Sequence, residues 1–268
     1  MKTRGLSCMV ALLASICGPL FAQEPPQTLT PPAPAAPRIN GPAIFGARPG
    51  SPVIFIIPAT GARPMTFTAD GLPAGLTLDA QSGRITGDLH DKGQFDLTLH
   101  AHNQQGDAQK KFRLVIGDGI ALTPPMGWSS WNCWGETIDQ DKILRAAKGM
   151  ASTALSQHGF TYINMDDGWQ GKRPPPDHAL QGNEKFPDMA GLVKAINALG
   201  LKAGIYSTPW ETSYAKFPGG SAESTDGAWH KLGPKFGKIS FAQADARQFA
   251  AWGFDYLEHF ASCWRASR

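Results

Sequence analysis

The sequence predicts a multidomain chain in which an all-β sandwich precedes a parallel α/β region. Three observations carry this. Between residues 93 and 117, apolar and polar residues alternate with the period of two that marks half-buried strands. After residue 119, short apolar runs and amphipathic segments take turns with short connections, the pattern of parallel βα units. The run Tyr162-Ile163-Asn164-Met165 then ends in Asp166-Asp167-Gly168-Trp169, putting two acids at the tip of a buried strand before a glycine that permits a sharp turn.

Met1–Ala22 reads as an export signal. Lys2 and Arg4 give a basic start, residues 6–16 are mostly apolar, and Leu20-Phe21-Ala22 offers a small residue at the cut. The apolar part is shorter than the ~20 residues a span requires, so no stable membrane anchor is expected and the mature protein is expected to be secreted or periplasmic. Residues 23–38 contain Pro25, Pro26, Pro31, Pro32, Pro34 and Pro37 and form an extended, semi-rigid linker. A net charge of +3 with 18% charged residues offers no footprint for nucleic acid. Of the four cysteines, Cys8 and Cys17 fall in the signal; Cys133 and Cys263 remain, a pair that export permits to form a disulfide but that makes no scaffold or metal motif.

Residues 39–118 carry the sandwich. Pro52–Ile57 is an apolar strand; Phe95, Leu97, Leu99 and Ala101 alternate with Asp96, Thr98, His100 and His102; Phe112, Leu114 and Ile116 repeat the pattern. Turn chemistry fills 71–76 and 79–87. His100 and His102 lack a third ligand nearby and read as solvated. The runs Gly71-Leu-Pro-Ala-Gly-Leu-Thr-Leu-Asp79 and Ser82-Gly-Arg-Ile-Thr-Gly87 resemble the immunoglobulin-like modules appended to secreted bacterial proteins.

In residues 119–268 a helix is expected over about Asp139–Gln157, with Ile143, Leu144, Ala147 and Met150 on one face. Strand Tyr162–Met165 follows, then a helix near Met189–Leu199 ending at Gly200, a strand over Lys202–Tyr206, a helix over Phe241–Trp252 and a strand beginning at Phe254–Leu257. Asp166 and Asp167 have two readings, a cap for a following helix or a pair of acceptors for sugar hydroxyls beside an aromatic ring.

Four motifs then stand in series: Thr123-Pro-Pro-Met-Gly-Trp-Ser-Ser-Trp-Asn132, Tyr162-Ile-Asn-Met-Asp-Asp-Gly-Trp169, Gly204-Ile-Tyr-Ser-Thr-Pro-Trp210 and Trp252-Gly-Phe-Asp-Tyr-Leu257. Together they resemble the bacterial α-galactosidases of glycoside hydrolase family 27. The resemblance implies a (β/α)8 TIM barrel, an α-galactoside substrate, no metal or organic cofactor, and retaining hydrolysis by two aspartates. Position by position, it implies that Asp166 and Asp167 hold the galactose hydroxyls, that Trp128 lines the sugar pocket after the first strand, and that Tyr206 is the aromatic after the third. Trp131, Trp134 and Trp169 are assigned chiefly to packing.

Agreement with the family stops after Leu257. Glu258 stands at the family's lysine position and Phe260 at its nucleophile position, and the acid/base aspartate would lie further on than Arg268. Residues 122–268 match the first half of a barrel whose usual length is ~250 residues. The expectation is an incomplete reading frame of an α-galactosidase-type hydrolase, with no catalytic residue identifiable. A sugar-binding protein without turnover and a chain in which only the sandwich folds remain open beside it, as do oligomeric state and the choice among α-galactoside, α-N-acetylgalactosaminide and β-L-arabinopyranoside.

Overall fold

The computed structural model describes residues 32–119, 122–225 and 235–259. The expected signal, most of the linker, Cys263 and Phe260 lie outside the described residues.

The sandwich has two main sheets. One orders Ile44–Ala47, Gly106–Ile116, Gly93–Asn103 and Thr66–Asp70; the other orders Pro52–Ile56, Arg84–Asp88 and Leu76–Asp79. All neighbours are antiparallel except Ile44–Ala47, which runs parallel to Gly106–Ile116. The predicted alternation is realised: Leu97, Leu99, Ala101, Phe112, Leu114 and Ile116 turn inward onto Val53, Ile57, Phe67 and Ile85. His100 and His102 face out and each meets a carboxylate, Asp70 at 2.8 Å and Asp107 at 2.6 Å. Among the described residues no cluster suited to a metal ion is found.

The second region is a four-stranded parallel sheet in sequence order: Gly127–Ser129, Tyr162–Met165, Lys202–Ser207 and Tyr256–His259. Helices Gln140–Ser152, Met189–Ala198 and Ala242–Trp252 cross between successive strands. Ile143, Ala147, Met150, Leu192, Val193, Ile196 and Phe249 pack from them onto Ile163, Met165, Ala203 and Ile205.

Two of the expected boundaries shift for a local reason. The first helix stops at Ser152 and a separate turn covers Ala154–Gln157, because Thr153 is extended while the Ser152 and Thr153 hydroxyls donate back to the Gly149 and Met150 carbonyls. The fourth strand starts at Tyr256 and not at Phe254. Gly253, at φ +90°, ends the last helix, and the Phe254 N–H closes it by donating to the Phe249 carbonyl. Trp128 and Tyr206 lie within the first and third strands, not after them.

The sandwich packs against the end of the parallel sheet where its strands begin. Lys202, the first residue of its strand, pairs with Asp255 at 3.4 Å and sits 4.9 Å from the centre of the Phe45 ring. Asn40 donates to the Gln157 carbonyl at 3.0 Å, and a Cβ on Gly200 would come within 2.7 Å of Ile56. The C-terminal strand ends lie at the opposite edge of the sheet. In open parallel α/β sheets, ligands bind outside those carboxyl ends.

Candidate sugar-binding site

The strand register decides which side chains share a face. Ser129, Asn164, Gly204 and Tyr256 form one row; two residues further along the same face, Tyr206 stands beside Glu258, and Asp166 follows Met165. Gly204 is required in that row. Its Cβ would fall 2.6 Å from Asn164 Oδ1 and 2.9 Å from the Tyr256 ring, so only a residue without a side chain lets the row close.

Asp166 is held on two sides. Its Oδ2 accepts from Ser129 Oγ at 2.8 Å, its Oδ1 accepts from the Asp167 N–H at 2.7 Å, and its own N–H donates to Ser130 Oγ at 3.0 Å. A carboxylate offers about four acceptor positions. Two therefore remain on a half-buried side chain at a strand tip.

Asp167 is buried and engaged otherwise. Oδ1 accepts from the Gly168 N–H at 3.0 Å and Gln170 Nε2 at 2.8 Å; Oδ2 accepts from the Ala215 N–H at 3.2 Å. Burial raises its pKa, against the opposing pull of the Ser213 hydroxyl, Gln170 and the two backbone donors. Neither aspartate caps a helix, since the next helix begins at Met189 with Asp188 as its cap. That excludes the capping reading for both.

Raised titration has a signed consequence. An acid whose folded pKa exceeds its unfolded value favours folding when protonated, and that stabilisation is lost as pH climbs from 3.8 through the raised value. Carboxyl NMR of the folded chain is expected to give an Asp167 midpoint above 3.8; one at or below it would contradict the burial argument.

Tyr206 is buried beside these acids, and its phenol is pushed up by burial first and then by Asp167, Asp166 and Glu258, so it stays a neutral hydrogen-bonding group. Glu258 is raised by burial and then by Asp166, against the Asn164 amide that donates to it. Thus Asp166, Asp167, Tyr206 and Glu258 do converge. Trp128 does not join them: it shares a register position with Ile163, on the opposite face, where its ring lies edge-on to Trp134 at 5.3 Å and its N–H meets Cys133 Sγ at 3.4 Å. Cys133 is a free, exposed thiol. Trp131 is more accessible, at 38% exposure, and directly follows the Ser130 that contacts Asp166.

An acid, a phenol and a second acid thus stand at the carboxyl ends of adjacent parallel strands. The chain belongs to the alpha-galactosidase family: the family model described as "Alpha galactosidase A" matches residues 123–268, and one described as "Putative Ig domain" matches 36–117. Curated relatives include the "Probable alpha-galactosidase B" of Aspergillus clavatus, 37% identical over 150 residues, and that of Penicillium simplicissimum, 34% identical over 150 residues. Each match covers 54% of this chain and 30% of the relative, so the chain spans about a third of their length. Among solved structures, a "putative alpha-galactosidase" from Bacteroides fragilis superposes with a TM-score of 0.74 at 36% identity, covering 87% of this chain and 47% of that one. A second from the same organism, titled "putative alpha-galactosidase/melibiase", gives 0.73 at 33% identity, with the same two coverages.

Proposed function

We propose that the α/β region is the first half of a (β/α)8 barrel and supplies the galactosyl-recognition part of an α-galactosidase. The observation that carries this is Asp166: a half-buried carboxylate at a strand tip, fixed by Ser129 and the Asp167 N–H, with two acceptor positions directed at no protein donor among the described residues. Sugar hydroxyls are the donors such positions suit, and Tyr206 adds a buried phenol beside them. Trp131 supplies an accessible indole for the apolar face of a pyranose. Asp167, engaged by protein donors, accepts from a sugar hydroxyl only where one of them yields, so its larger contribution is to hold the Ser213–Ala215 segment against the site.

Retaining hydrolysis needs two carboxylates, one to attack the anomeric carbon and one to protonate the leaving oxygen. Asp166 and Asp167 are assigned here to recognition and support, and neither is given a catalytic role. Asp166→Asn should weaken galactose binding by about ten- to hundred-fold, the loss of a charged acceptor worth ~1.5–3 kcal/mol. Calorimetric titration of the 268-residue chain with galactose checks this, and an unchanged affinity would remove Asp166 from the site. Turnover of an aryl α-galactoside, followed in parallel, separates recognition from chemistry.

A further inference from the structure

Two helices of the α/β region end on side chains of the sandwich. The last four carbonyls of a helix have no partner within it. Asn40 Nδ2 donates at 3.0 Å to the carbonyl of Gln157, the last residue of the helical turn Ala154–Gln157. Arg84 Nη1 donates at 2.5 Å to the carbonyl of Ala198, the last residue of the helix Met189–Ala198. Neither helix has a basic residue in its own last turn, so the guanidinium facing the negative end of Met189–Ala198 comes from the other region.

The turns after these helices allow a close approach. Gly159 and Gly200 have φ values of +95° and +80°. A Cβ on Gly159 would lie 3.4 Å from the Gly41 backbone, and one on Gly200 would lie 2.7 Å from the Ile56 side chain and 3.1 Å from that of Arg84. Ahead of the first strand, Thr123 Oγ1 donates to the Ile44 carbonyl at 2.5 Å. At the start of the third, the Lys202 side chain is only 10% exposed, its ammonium shared between Asp255 and the Phe45 ring. Among these points the two regions close on an apolar cavity of about 90 Å³, with Phe45, Ile54, Ile56 and Pro58 on one side and Met126 and Tyr162 on the other.

We propose that the sandwich functions as the floor of the parallel sheet. It caps the two helices and seats the strand starts Tyr162 and Lys202, so the two regions unfold as one unit. The sandwich thereby sets where Asp166 and Tyr206 stand, each four residues further along its strand. Separation would return the cavity lining to water, which opposes it in proportion to the apolar area exposed, and would strip Lys202 of the Phe45 ring.

Region-specific probes of the intact chain test this. All eight tryptophans follow Gly127, so their emission reports the α/β region alone, while hydrogen exchange over Gly93–Asn103 and Gly106–Ile116 reports the sandwich. Leu99 is buried in a core cluster made of sandwich residues. Leu99→Ala should nevertheless lower the urea midpoint read by tryptophan by about 1 M, together with the exchange protection of the sandwich strands. Asn40→Ala and Arg84→Ala, milder changes at the caps, should each lower the tryptophan midpoint by about 0.3 M. A tryptophan midpoint that stays in place while Leu99→Ala strips protection from the sandwich would overturn the proposal. So would a midpoint unmoved by both cap variants, or a wild type whose tryptophans show no cooperative transition.

Discussion

Arg173→Ala is expected to destabilise the α/β region by about 3–5 kcal/mol, the cost of leaving one member of a buried ion pair without its partner. The Arg173 and Asp245 side chains are almost wholly buried and meet in a two-pronged pair, with both N–O distances at 2.6 Å. Arg173 also donates to the His178 carbonyl at 2.8 Å and the Gly219 carbonyl at 2.6 Å, and stacks 4.4 Å over Phe241. Asp245 Oδ1 accepts in addition from the Leu180 N–H at 2.9 Å. One guanidinium therefore joins the segment after the second strand, the segment after the third and the last helix, the two segments that carry Asp167 and its supporting hairpin. Urea unfolding measures the loss. The pair Arg173→Met with Asp245→Leu should recover only part of it: no buried charge is left unpaired, but the His178 and Gly219 carbonyls and the Leu180 N–H lose these partners. A single-variant loss below about 1 kcal/mol would show that water relieves the pair and that the clamp is not structural.

Trp169→Ala comes second, at about 3–5 kcal/mol for a large aromatic removed from a packed core. Trp169 is fully buried, its ring edge-on to Phe249 at 5.6 Å and to Trp252 at 6.1 Å. Its indole N–H donates to the Tyr206 carbonyl at 3.0 Å, so the indole also anchors the strand that presents Tyr206. Trp169→Phe keeps most of the packing and loses that donor, and should cost ~1–3 kcal/mol for the unpaired buried carbonyl. If both variants unfolded at the wild-type urea midpoint, neither the packing nor the hydrogen bond could be holding this strand.

Much of this was legible along the chain because periodicity reports burial directly. Leu97, Leu99, Ala101, Phe112 and Leu114 alternate in the sequence and all turn inward, and Ile143, Ala147 and Met150 fall on one helical face and are buried there. Asp166 and Asp167 stood out along the chain because two adjacent acids closing a buried strand are unusual there. Trp128 was misleading for an equally physical reason. A motif records which residues occur together, but a strand sends neighbours to opposite faces, and only pairing with Ile163 shows that Trp128 looks away from Asp166.

The amino-acid sequence by itself determined the order of sandwich and parallel region, the positions of the principal strands and helices, and the acids at the second strand's tip. These follow from local pattern and local chemistry, which need no partner distant in the chain. The tertiary structure alone decided that Asp166 keeps two acceptor positions while Asp167 is engaged, and that Arg173 finds Asp245 seventy-two residues away. Each depends on which side chains meet across strand ends and loops. That meeting is set by register and packing between distant segments, which leave no periodic trace in either segment.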